Sequence, residues 1–292
     1  MMKKTTLFLA SLFAFVALYA QSGTLRENYV IESKILGKPV KFAVYMPAAA
    51  KEDWRKYPVL YLLHGYTDDE TGWPQFGEVQ HIADKQITDG KATPMIIVMP
   101  DGGVSFYLNS YDGKTRYEDF FVQELIPHID ANFPTRPKKE FRAIAGLSMG
   151  GFGSLLLSMK HPDLFTAAAP LSAAVISDKE ISTMPDANWN MLWGSLFGKD
   201  LKGNDRLNKH WYENSILKIA ETKSVDELKK VSYYIDCGDD DFLIKGNMDL
   251  HALLTDRKVP HEFRVRDGGH TWSYWRTALP EVLRFVSDKF HR

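Results

Sequence analysis

The chain has 292 residues, 45% of them hydrophobic and 25% charged, with a formal net charge of -1. A chain of this length and make-up can bury a sizeable core without disulfides or a structural metal. The near-neutral charge excludes the polybasic field that would mark nucleic acid or an anionic membrane as a partner.

From the N-terminus, Lys3 and Lys4 precede an apolar run from Leu7 to Tyr19 that ends at Ala20. This charged, apolar, small-residue order predicts a secretory signal peptide over residues 1–20 and a single exported domain over 21–292, periplasmic or secreted. The run is short against the roughly 20 residues of a membrane span, so no stable membrane insertion is expected after cleavage. Glu27 to Leu36 and Val40 to Met46 are β-rich and flank Gly37-Lys38-Pro39, which predicts an antiparallel hairpin. Pro58 to Leu63 is continuously apolar and stops at His64-Gly65, as a strand buried on both faces would. Met95 to Pro100, Phe141 to Ala145, Ala167 to Leu171, Val231 to Ile235 and His261 to Val265 share that character.

Helical periods lie between these runs. Tyr117, Phe120, Phe121, Leu125 and Ile129 recur at 3-to-4 spacing, as do Leu279, Val282, Leu283, Val286 and Phe290. Strands alternating with helices predict an α/β fold with a mostly parallel sheet, helices on both faces and the opening hairpin as its antiparallel edge. Residues 177–214, rich in Asn, Trp, Gly and Lys, break the rhythm and are read as an inserted lid.

Gly146-Leu147-Ser148-Met149-Gly150 fits G-x-S-x-G between a strand-like run and an apolar helix. Such an elbow forces its serine through a tight turn, where flanking glycines let backbone approach without Cβ clashes. A serine hydroxyl needs a base to act as a nucleophile at neutral pH. His270 follows Asp267-Gly268-Gly269 after the last strand-like run and precedes the terminal helix, on a loop leaving the sheet. An acid should leave the Val231 to Ile235 run at the same end, to hold the imidazole in one tautomer. Asp239, Asp240 and Asp241 all qualify, and spacing does not choose among them. An oxyanion hole would use the N–H of Met149 and one from the loop after Leu63, with Tyr66 preferred and Thr67 the alternative. His64 reads as a structural ring beneath that loop. Cys237, the only cysteine, ends an apolar run and reads as a small buried hydrophobe, so no disulfide or Cys-based zinc cluster is expected.

Leu62 to Asp69 with Trp73, Met99 to Gly103, and Gly146 to Gly151 resemble the esterase D-like branch of the α/β-hydrolases. Glu124 to Pro127 with Ile129-Asp130, Cys237-Gly238 with Asp241 to Leu243, and Gly269 to Trp272 with Tyr274-Trp275 extend the likeness over nearly the whole chain after residue 20. That branch includes feruloyl and acetyl-xylan esterases, S-formylglutathione hydrolases, enterochelin esterases and mycolyltransferases. The resemblance implies an α/β-hydrolase fold and an acyl-enzyme mechanism without metal or cofactor. Its Cys-Gly-x-x-Asp pattern selects Asp241 as the acid beside Ser148 and His270. The signal peptide points away from the cytosol and its glutathione, and secreted bacterial feruloyl-type esterases look most similar. An acylated oligo- or polysaccharide is therefore the expected substrate, carrying feruloyl or acetyl groups.

Trp189, Trp193 and Trp272 could line the acyl pocket, since indole faces suit a hydroxycinnamoyl ring or a sugar. Packing under the lid and the final helix is the competing role for each. Another exported esterase, a siderophore trilactone hydrolase among them, or an acyltransferase would use the same residues. The two chemistries differ only in whether water or a bound alcohol meets the acyl-enzyme. A non-catalytic binding module need not keep Ser, Asp and His together, and this chain keeps all three.

Overall fold

The computed structural model describes residues 22–51 and 54–290. The expected signal peptide over residues 1–20 lies outside the described residues. Among the described residues, eight strands form one sheet: β1 (Thr24–Ser33), β2 (Lys38–Met46), β3 (Val59–Leu63), β4 (Ile96–Pro100), β5 (Arg142–Leu147), β6 (Ala167–Leu171), β7 (Ser232–Gly238) and β8 (His261–Arg266). Their spatial order is β1-β2-β4-β3-β5-β6-β7-β8. The pairs β1–β2 and β2–β4 are antiparallel and the rest are parallel. The expected α/β-hydrolase architecture, with the hairpin as antiparallel edge, is the one observed.

The continuous apolar runs are explained by a core on each side of the sheet. Strand side chains alternate between faces. Val59, Tyr61 and Leu63 of β3 enter one core with Ile96 and Val98 of β4. Leu60 and Leu62 enter the other with Ile97 and Met99, against the terminal helix Trp272–Lys289. Each fully buried Leu or Ile contributes about 1.5–3 kcal/mol, so a two-faced strand favours apolar residues throughout.

The hairpin turn falls earlier than Gly37-Lys38-Pro39. Residues 34–37 form it, and Pro39 already pairs with Glu32 inside β2. Gly37 closes the turn at φ 65°, a left-handed conformation that glycine adopts without steric cost. Glu124 anchors it by accepting the N–H groups of Lys34 and Ile35. The expected helix around Tyr117 to Ile129 runs to Asn132 with a π-turn at Phe121–Leu125. Pro127 has no N–H to give to the preceding turn, and the wider π-turn accommodates it there.

Between β6 and β7 the segment that breaks the alternation folds into short helices, including Asp178–Thr183, Asp186–Leu192, Gly194–Phe197 and Lys209–Asn214. Arg206, fully buried, ties it together by donating to the carbonyls of Leu201, Ile181 and Met184 and to the Asp186 carboxylate. Among the described residues, no helix is long and apolar enough to cross a membrane.

Candidate active site

The sheet order reverses between β3 and β5: the chain steps outward from β3 to β4, then returns to β3's other side with β5. In open α/β sheets such a switch point leaves a crevice beyond the strands' carboxyl ends. Leu63 pairs with Gly146, so two residues further on Gly65 lies beside Ser148. A Cβ on Gly65 would stand 3.7 Å from that of Ser148. Along the same edge Leu171 pairs with Asp236 and Gly238 with Arg266, so the loops carrying Asp241 and His270 emerge together.

Ser148 sits between β5 and the helix Met149–Lys160 at φ 54°, ψ −113°. A non-glycine residue there carries about 1–3 kcal/mol of strain. Its N–H donates to Leu171 O at 2.9 Å, and its carbonyl accepts from Phe152 and Ala174. These bonds from β6, the segment after it and the helix over-determine the turn. The flanking glycines are required by contact, not by φ: a Cβ on Gly146 would come within 2.5 Å of Gly150 O, and one on Gly150 would fall onto the Leu63 carbonyl.

The structure brings Ser148, His270 and Asp241 into one hydrogen-bonded row. His270 Nε2 lies 2.9 Å from Ser148 Oγ, and His270 Nδ1 lies 2.8 Å from Asp241 Oδ2. The Asp241 side chain is fully buried, whereas Asp239 and Asp240 are exposed. Burial pushes the Asp241 carboxyl up, but hydrogen bonds from His270, the Leu243 N–H and the Ser172 hydroxyl outweigh it and hold the pKa below the ordinary value. An ionised Asp241 can only accept, so it favours the His270 tautomer with the proton on Nδ1 and leaves Nε2 to receive the serine proton. Asp239 instead accepts the Gly268 N–H and braces the His270 loop. With Asp240 and Asp267 it forms an exposed acidic trio whose ligand oxygens lie within 4.8 Å of one another.

Tyr66 follows Gly65 on the loop after β3 and Met149 opens the helix after Ser148, and within the described residues neither backbone N–H is taken up by a hydrogen bond. Thr67 follows in the left-handed region at φ 65°. His64 lies buried below. Its Nε2 accepts the Gly102 N–H at 2.7 Å, so the ring proton is on Nδ1 and donates to Gly65 O, also at 2.7 Å. Burial keeps this ring neutral by lowering its pKa. Trp73 Nε1 donates to Leu63 O, and Tyr107 donates its hydroxyl to His64 O. Three outside partners, Gly102, Trp73 and Tyr107, therefore fix the loop that presents Tyr66.

The tryptophans divide. Trp189 is fully buried, donates its indole N–H to Gly198 O and lies under the Arg206 guanidinium, so it packs as core in this arrangement. Trp193 is 3% exposed and reaches the Tyr66 loop through Phe106, 4.4 Å away between ring centroids. Trp272 is half-buried and edge-on to Trp275, which in turn meets His270 edge-on at 4.9 Å.

Three contributors escaped the sequence reading. Phe242 is 76% exposed and its ring lies 4.6 Å from that of His270. Its position directly after the acid was visible, but not its outward rotamer. Ser172, buried at φ 45°, accepts the Trp275 indole N–H beside Asp241. Asp236, also buried, accepts the hydroxyls of Tyr234 and Tyr274 and pairs with Arg266, joining β7, β8 and the start of the terminal helix. No local pattern marks either of the last two.

Residues 33–286 match the Esterase family model. An endo-1,4-beta-xylanase/feruloyl esterase of Xylanibacter ruminicola is 39% identical over 51% of this chain, and the chain spans only 22% of that relative's length. An acetyl esterase of Caldicellulosiruptor saccharolyticus is 26% identical over 87% of the chain and 95% of the relative. Among solved structures, a ferulic acid esterase superposes with a TM-score of 0.80 at 32% identity, covering 92% of this chain and 99% of that one.

Proposed function

The chain belongs to the Esterase family, and from that premise we propose that it is an exported serine carboxylesterase acting through Ser148, His270 and Asp241. The observation that carries the reading is the row itself, with 2.9 Å from Ser148 Oγ to His270 Nε2 and 2.8 Å from His270 Nδ1 to Asp241. Both are within hydrogen-bond reach, as a nucleophile and its base require. His270 takes the Ser148 proton as the oxygen attacks the ester carbonyl. The tetrahedral oxyanion accepts from the N–H groups of Met149 and Tyr66, each contributing about 3–4 kcal/mol by the precedent of one such donor. His270 then gives its proton to the departing alcohol, and water repeats the sequence on the acyl-enzyme. Asp241 stays ionised throughout and stabilises the imidazolium.

For substrate, we favour feruloyl esters of plant cell-wall polysaccharide, with acetyl esters as the second reading. The feruloyl esterase names of two similar proteins support the first and the acetyl esterase supports the second. Phe242 tips the choice. A large aromatic ring left mostly in water against the imidazole offers a face for a hydroxycinnamoyl ring, worth about 0.5–1.5 kcal/mol beyond area. Export rests on Lys3, Lys4 and the apolar run after them. Rates on methyl ferulate and on ethyl acetate, for wild type, Ser148→Ala and Phe242→Ala, test all but export. Ser148→Ala should lose both activities, and Phe242→Ala should lose about tenfold on ferulate alone. Full activity in Ser148→Ala would end the proposal; equal losses in Phe242→Ala would move the substrate to small acyl groups.

A further inference from the structure

A groove of about 660 Å³ is lined by none of Ser148, His270 and Asp241. Its walls come from four separate places: the hairpin turn around Leu36 to Val40, the loop Asp101 to Ser105, the loop Ser110 to Thr115, and Gly194 to Lys199 of the insertion. That volume lies within the roughly 300–1,000 Å³ of ligand sites. Tyr111 supplies an aromatic face, 56% exposed, while its backbone N–H is fixed on Leu196 O at 2.7 Å. Lys38, Lys114 and Lys199 bring donors and Asp101 and Asp112 bring acceptors to the same walls. An aromatic platform among donors and acceptors of both signs suits a polyhydroxylated, neutral ligand better than an ion or an apolar chain.

The groove's walls also contact the loop that presents Tyr66. Its Gly102 donates to His64, which holds Gly65, and Phe106, next to the groove's Ser105, packs on the Tyr66 ring at 6.0 Å. We propose that the groove binds a neutral oligosaccharide, the sugar chain carrying the ester, while its acyl group is processed at Ser148. This rests on the feruloyl-polysaccharide reading for its substrate, though glycan binding can be measured without it.

The test titrates xylohexaose, which carries no ester, into Ser148→Ala protein and follows binding by calorimetry and by amide shifts. Saturable binding is expected, weakened about tenfold in Tyr111→Ala and restored in Tyr111→Phe, which keeps the ring. Tyr111 is a surface side chain, and unchanged circular dichroism of the variant secures the comparison. In the active enzyme, Tyr111→Ala should raise KM for a feruloylated xylo-oligosaccharide about tenfold with kcat unchanged. Methyl ferulate, with no sugar to place, should keep its kcat/KM. Absence of xylohexaose binding, or binding indifferent to Tyr111, overturns the groove proposal. Failure to hydrolyse methyl ferulate with xylohexaose binding intact overturns only the feruloyl reading.

Discussion

At the scale of single residues, Asp241 is distinguished from its neighbours by burial rather than by chemistry. Three consecutive aspartates follow β7, yet only Asp241 turns inward, where His270, the Leu243 N–H and the Ser172 hydroxyl converge on it. Replacing it by Asn preserves shape but allows an amide N–H to face Nδ1, which would then need to be the unprotonated nitrogen. Nε2 would hold the proton and could not accept one from Ser148. Asp241→Asn should therefore lower kcat by about 10⁴-fold, the cost of the wrong tautomer in a serine protease triad, with KM little changed. Asp239→Asn and Asp240→Asn, on exposed side chains, should stay within a few-fold of wild type in the same assay. Spacing could not rank the three, because one step along a turn reverses which carboxylate faces inward. Ser148 and His270 were legible because each sits at a strand-to-helix junction. The inward packing of Trp189 was not, since a tryptophan in a Gly- and Asn-rich segment reads alike as lining or as core.

At the scale of elements, the eight strands were readable because both faces of most are buried, which leaves an unbroken apolar run as their trace. Their order was not, because β3 and β4 exchange places through contacts distant in sequence, and that exchange creates the crevice beside Ser148. The elbow is the element under greatest constraint. Gly150 lies where helix Met149–Lys160 touches the end of β3, and a methyl group there would overlap the Leu63 carbonyl. Backbone in a central strand cannot rotate aside as a side chain can. Gly150→Ala should thus cost about 1–3 kcal/mol by overpacking and displace Ser148 and the Tyr66 loop together. Urea unfolding would report the first, and kcat/KM on methyl ferulate the second. A variant with wild-type midpoint and wild-type rate would mean that the elbow is looser than its contacts require.

Across the whole molecule, local burial of ionisable groups sets how stability responds to pH. His64, His128 and His210 all have pKa values lowered from 6.5 by burial. His64 dominates, because its ring is almost wholly enclosed while the other two keep partial contact with water. As pH falls through about 6.5, the unfolded chain protonates these imidazoles and the folded chain does not. The unfolded state then binds more protons, so stability is full above that pH and declines below it. Glu118, whose pKa burial raises but His161 and Lys160 lower overall, and Asp241 extend the loss at more acid pH. Asp68 and Glu70, raised by burial, act in the opposite sense, but only nearer the carboxylate range. The histidines therefore govern the interval from pH 7.5 to 5.5, and Tm should fall across it. His64→Gln removes the main titrating group while keeping a side chain able to hydrogen-bond Gly65 and Gly102. It should lower Tm at pH 7.5 and flatten its decline toward 5.5. A wild-type Tm that rises on acidification would mean that His64 is protonated in the fold. That would contradict the Gly102 N–H donating to its Nε2, and with it the account of how the Tyr66 loop is held against Ser148.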